Sequence, residues 1–123
     1  MDKELKKQWV EALRSGRYKQ GKRYMRTLSD EYTPIGIFAD AVLNLPKTLE
    51  KSLDGFEKDV YRFLDCCEMT LPPKLVNELE IPVDALHGLY AMNEGGFIGG
   101  RWEKYYKNPQ TFDYIANWIE TNL

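Results

Sequence analysis

The stretch TPIGIFADAVL, Thr33–Leu43, decides the fold class. Ile35, Phe38, Ala39 and Val42 recur at i, i+3, i+4 and i+7, the apolar stripe of a helix packed on one side. Thr33 can cap the first turn with its hydroxyl, and Pro34 suits the first helical position because its missing N–H would have no partner there. The spacing therefore predicts a helix from Pro34 to about Leu43, ended by Asn44-Leu45-Pro46. Gly36, inside the first turn, costs up to ~1 kcal/mol relative to Ala in a helix. Its presence implies that another backbone packs close by.

Both ends of the chain repeat the pattern. Phe112, Ile115, Ala116 and Ile119 follow the start signal Asn108-Pro109, and Leu5, Trp9, Ala12 and Leu13 mark a helix over about residues 3–14 that stops at Ser15-Gly16. Two such stripes at opposite ends imply that the first and last helices share one core. Between them, Leu71-Pro72-Pro73 opens a short helix carrying Leu75, Val76 and Leu79. Asp84 can cap another, with Leu86, Leu89 and Tyr90 inward.

Arg23–Leu28 and Tyr32-Thr33 read as a hairpin turning at Ser29 and Asp30. Residues 47–69 place Phe56, Val60, Phe63, Leu64 and Cys67 at helical spacing and read as a helix, although Val60–Leu64 also suits a strand. Gly95–Gly100 interrupts all periodicity and reads as a loop. The expected architecture is α+β and mainly α: a single compact domain, 1–123, of four to six short helices with a small β-hairpin.

Composition narrows the setting. A chain of 123 residues with 43% hydrophobic and 13% aromatic side chains has enough apolar mass for one core and no polar tract that would stay disordered. The N-terminus is charged and runs straight into an amphipathic pattern, with no apolar segment near the ~18 residues a membrane span needs. Cys66 and Cys67 are adjacent, so a mutual disulfide would impose severe geometry. They lack the C-x-x-C spacing of zinc or redox motifs, read as buried thiols, and fit a reducing compartment. A cytoplasmic protein is expected.

One segment stands out by charge. LRSGRYKQGKRYMR, Leu13–Arg26, has six basic residues and no acidic one; with −2 on the whole chain, the remainder carries −8. Arg17, Lys22, Arg23 and Arg26, interleaved with Tyr18 and Tyr24, could hold a phosphate by guanidinium forks and stack a base. Basic residues following a helix C-terminus also answer the helix dipole and nearby carboxylates without any ligand. A second candidate is the glycine-rich loop, with Phe97, Ile98 and Trp102 as exposed anchors beside Arg101 and Lys104. Its glycines match neither a phosphate loop nor a dinucleotide fingerprint. Whether the two segments form one anion-binding face decides between ligand grip and solvated rim.

The opening Trp9-Val-Glu-Ala-Leu-Arg-Ser-Gly-Arg-Tyr-Lys-Gln-Gly21 resembles that of a family of small, largely uncharacterised accessory proteins of bacteriophages and prophages, which begin W-x-x-A-L-R-S-G-x-Y-x-Q-G. That family ends L-N-D-x-G-x-S-F-x-x-I-A-x-x-I-E; here Met92-Asn-Glu-Gly95 and Thr111-Phe-Asp-Tyr-Ile-Ala-Asn-Trp-Ile-Glu120 are similar to it. Its middle motif, C-C-L-G-V-x-C-D, becomes Thr33-Pro-Ile-Gly-Ile-Phe-Ala-Asp40, so Thr33, Pro34 and Ala39 stand where the family has cysteines. The resemblance implies a phage accessory protein in the cytoplasm of an infected bacterium. It implies no reaction.

Catalytic chemistry has little support. His87 is the sole histidine, with Asp84 three residues earlier, and no nucleophile is paired with it; none of the acidic residues forms a spacing that singles out a catalytic pair. The expectation is a non-enzymatic binding protein, without cofactor or metal. Its partner would be a host protein or a phosphate-bearing small molecule, inhibited or sequestered in counter-defence. A nucleic-acid binder using residues 14–26 is the alternative, and a small enzyme without a recognisable motif the third. The oligomeric state stays open, with a homodimer among the options.

Overall fold

The structure is a computed structural model and describes residues 1–50, 59–96 and 100–123. In chain order it contains α1 (Lys3–Arg14), β1 (Lys19–Gln20), β2 (Glu31–Tyr32), α2 (Pro34–Ile37), β3 (Lys47–Glu50), β4 (Val60–Phe63), α3 (Pro73–Glu78), α4 (Val83–Glu94) and α5 (Phe112–Asn122). The fold is α+β and mainly helical, as the sequence predicts.

The helix read from Thr33–Leu43 forms with an unexpected pitch. Thr33 Oγ1 accepts the Gly36 N–H at 3.1 Å, and Pro34 occupies the first turn. The α-turns stop at Ile37 and the chain continues as a π-turn over Phe38–Val42, with Leu43 N–H donating to the Phe38 carbonyl five residues back. Such a widened turn rotates the following side chains relative to an α-helix. Phe38 and Ala39 remain fully buried, and Asp40 reaches Arg26 and Lys47 at 2.9 and 2.8 Å. A Cβ on Gly36 would stand 1.7 Å from the Met25 carbonyl oxygen, so the expected close backbone is that of Met25.

α1 and α5 pack against each other, and Trp9, Leu13, Ile115 and Ile119 enter the same core as Phe38. Trp9 meets the Phe38 ring at 4.4 Å between centroids and donates its indole N–H to the Pro34 carbonyl at 2.9 Å. The large aromatic is thus buried with its one polar atom satisfied. Asp2 caps α1 by accepting from the Glu4 and Leu5 N–H groups. Thr111 caps α5 through Tyr114, a few residues beyond the Asn108-Pro109 signal.

The β structure differs from expectation. The predicted 23–33 hairpin survives as a tight reversal, with Thr27 N–H donating to Glu31 O and one antiparallel bridge, Arg26 to Tyr32. Its returning limb, β2, pairs in parallel with β1. Its incoming limb is held on the other side by β4: Leu28 donates to Asp59 O, and Tyr61 donates to Arg26 O. The helix expected over 47–69 is replaced by the antiparallel pair β3 and β4, in the register Lys47 to Phe63 and Glu50 to Val60. Long-range backbone pairing outweighs local periodicity there, with Val60 and Phe63 buried and Leu64 and Asp65 turning the chain at positive φ. Phe56 lies outside the described residues.

Tyr105 and Tyr114 join hydroxyl to hydroxyl at 2.9 Å. Burial and that hydrogen bond push Tyr105 up to about 12, and burial with the nearby Asp40 carboxylate raises Tyr32 as well. Both favour the neutral phenol in the folded state. Stability is therefore complete below pH ~10, where an exposed tyrosine begins to ionise, and falls as pH rises towards 12. Urea midpoints at pH 8, 10 and 11 should drop in that order, and Tyr105→Phe should flatten part of the drop.

Candidate binding site

The stretch that looks like a uniform basic patch is divided by the fold. Arg14, in the last turn of α1, reaches Glu120 at 2.9 Å and lowers the pKa of that carboxyl. Arg26 is mostly buried: it bonds Asp40 and Asp30 at 2.9 and 2.8 Å and lies over the Tyr32 and Tyr61 rings. A guanidinium held by two carboxylates between two rings is a structural cation. It corrects the expectation that Arg26 serves a ligand.

Arg17 and Lys22 are exposed. Arg23, at φ 71°, places its guanidinium over the ring of half-buried Tyr24. Tyr18 forms a T-shaped pair with Tyr32, 5.1 Å between ring centroids, and packs half-buried against the core.

The glycine-loop candidates divide too. Phe97 and Ile98 lie outside the described residues. Trp102 is buried at 7% exposure, where a Cβ on Gly88 would meet its ring at 2.7 Å, so it is core and not an exposed anchor. Arg101 binds Asp84 and covers the Trp102 ring, and Lys104 lies over Tyr105.

The first segment meets the residues that flank the second, Asn93 and Gln110, and not its cations. Gln20 donates to Asn93 Oδ1 at 2.8 Å and to the Gln110 carbonyl at 2.7 Å, while Asn93 donates back to the Gly21 carbonyl at 2.9 Å. Asn93 is buried with its amide satisfied, the state a buried polar group requires. This contact sits at the C-terminal end of α4, where Gly95 ends the helix at φ 95°. Arg101 is bound at Asp84, in the first turn. Nine residues of helix, about 14 Å of rise, separate the two points.

A different surface has the form of a binding site. α3 and α4 flank an open groove of about 490 Å³. Leu71, Val76 and Ile81 are the buried part of its lining, Val83, Leu86 and Tyr90 come from α4, and Asn77 and His87 add polar atoms. The volume lies in the range typical of ligand and peptide sites, and the apolar lining with a few polar groups matches them in kind.

α4 explains how the groove arises. Ala85, Leu89 and Met92 face the core, whereas Val83, Leu86 and Tyr90 form a second apolar stripe at i, i+3 and i+7. Val83 is 62% exposed and Tyr90 50%, which corrects the inward placement expected for Tyr90. The cap also differs: Pro82 precedes the helix, and Asp84 serves Arg101 instead of the helix end or His87. The sequence carried a usable signal, since a helix apolar on two sides is ordinarily buried on both.

Residues 1–123 match the family described as domain of unknown function DUF8296. The chain belongs to the DUF8296 family. No curated protein and no solved structure matches it. In this DUF8296 domain, Trp9, Gln20, Gly21, Asn93 and Gly95 act as fasteners of the fold, and no helix among the described residues is long and apolar enough to cross a membrane.

Proposed function

We propose that this DUF8296 protein is a non-enzymatic binding protein whose α3–α4 groove takes an amphipathic helix of a protein partner. The observation that carries the reading is the second apolar stripe of α4, with Val83 exposed at its start. A row of side chains at i, i+3 and i+7 between two helices offers the ridges and grooves that a third helix fills by its own apolar face. Because the resemblance is to phage accessory proteins, the partner is a factor of the bacterial host, inhibited or sequestered in counter-defence. The engagement of Arg14, Arg26 and Arg101 with carboxylates weighs against a phosphate-bearing ligand or nucleic acid as the main partner.

The test compares two variants in infected-cell extracts. Val83→Glu should abolish retention of a partner that the wild-type chain retains, while an exposed substitution of this kind shifts stability by no more than about 0.5 kcal/mol. The triple variant R17A/K22A/R23A should retain the partner. The opposite pattern, or thermal stabilisation by a nucleotide that the triple variant abolishes, would replace this reading with the phosphate one.

A further inference from the structure

α3 ends in a turn that its acidic side chains do not suit. Glu80 N–H donates to the Asn77 carbonyl at 3.1 Å and Ile81 N–H to the Val76 carbonyl at 3.2 Å, the paired bonds of a Schellman cap. Glycine is the usual residue at the left-handed position of such a cap, because a Cβ is strained there. Here Glu80 occupies it, at φ 58°. Glu78 is the last residue of α3, so both carboxylates stand at the helix end whose dipole favours bases. Both residues are exposed, and among the described residues neither carboxylate has an ion-pair or hydrogen-bond partner. Two local costs are thus carried with no contact inside the fold to offset them, the pattern expected where a side chain serves something outside it.

The cap also closes one end of the α3–α4 groove. Val76, Asn77 and Ile81 line that end, and Glu78 and Glu80 are the chain neighbours of Asn77 and Ile81. Asp84, next to Val83, is taken by Arg101. Lys74, next to Pro73 at the start of α3, is the one base adjacent in the chain to a lining residue. Residues 71–94, which form both walls, carry a formal charge of −3 against −2 for the whole chain. Resting on the reading of this groove as a helix site, we propose that its occupant is a basic amphipathic helix of the partner, with Lys or Arg side chains that meet Glu78 and Glu80 at the turn end. The apolar stripe Val83, Leu86 and Tyr90 supplies the burial, and the two free carboxylates select among helices that share an apolar face. A helix with acidic flanks would set like charges against them, which rejects it. Exposed pairs of this kind add only a few-fold each to affinity, so their work is choice of partner and register.

The experiment selects a displayed library of amphipathic helices, with a constant leucine stripe and Lys, Glu, Gln or Ser at every polar position, on the full-length chain at about 0.1 M salt. The chain is immobilised through Cys66, whose exposure corrects the expectation of buried thiols and which does not line the groove. Lys should be recovered over Glu at least about fivefold at the positions flanking one end of the stripe, and the preference should reverse on the Glu78→Lys/Glu80→Lys variant. The best recovered peptide should bind that variant about tenfold more weakly, with the difference shrinking at high salt. Glu80→Gly should weaken binding about threefold while raising the urea midpoint, since glycine suits the left-handed position. Equal recovery of Lys and Glu helices, or a peptide indifferent to both variants, would overturn the basic partner and leave the groove reading standing. Recovery of no helix, or recovery unchanged by Val83→Glu, would overturn the groove reading and this inference with it.

Discussion

Gly36→Ala is expected to unfold the protein or to destabilise it by at least about 3 kcal/mol, read as the shift of a urea unfolding midpoint. Helix propensity alone forecasts the opposite sign, a gain of up to ~1 kcal/mol. The clash decides the matter: the added Cβ would stand 1.7 Å from the Met25 carbonyl oxygen and 2.4 Å from its carbon. Neither can give way, because Met25 is fully buried, its N–H donates to the Glu68 carbonyl at 2.8 Å and its carbonyl accepts from Thr33. Gly16, at φ +75° with nothing within 4 Å of an added Cβ, is the control. Alanine there meets only backbone strain, about 1 kcal/mol.

Asp40→Ala is the second large effect, an expected loss of about 3 kcal/mol in the same measurement. Asp40 is 12% exposed and accepts from Arg26, from Lys47 and, at 3.1 Å, from the Tyr32 hydroxyl. Its removal leaves the mostly buried Arg26 guanidinium with the exposed Asp30 as its remaining carboxylate and breaks the more buried half of the cluster, where loss of one partner costs most. Asp84→Ala, which removes the exposed partner of Arg101, should leave the midpoint in place, since surface pairs contribute little. The contrast matters for function. If Arg26 is a structural cation, replacing it lowers stability whatever the ligand present.

The parts of the fold that were legible in the sequence are those governed by local period and capping. α1, α5 and the start of α2 follow from apolar spacing plus the Ser15-Gly16 stop, Thr33 and Pro34, whereas the Asp2 and Thr111 caps emerged only in the structure; Gly36 announced a close backbone without saying whose. The π-turn and the β3–β4 pair escaped because their causes are non-local. Val60 and Phe63 satisfy a helical period as well as a strand, and the partners that decide between them are Arg26, Leu28 and Lys47–Glu50, up to dozens of residues away. The basic stretch was divided by the fold for a related reason: charge counts do not reveal that Arg14 meets Glu120, or that Arg26 meets Asp40. Conversely, the double stripe of α4 was present in the sequence, but became a groove only once α3 was placed beside it.

The central claim is that the α3–α4 groove, and not the basic stretch, is the binding face. It is tested most directly by installing a photo-crosslinking side chain at position 83 in one preparation and at position 17 in another, then mapping the attached peptides after illumination in infected cells. The account predicts that position 83 attaches to one recurring segment of a partner, apolar on one helical face, and that position 17 attaches to none. Recurrent attachment at 17 alone, or attachment of position 83 to a second copy of this chain, would contradict it.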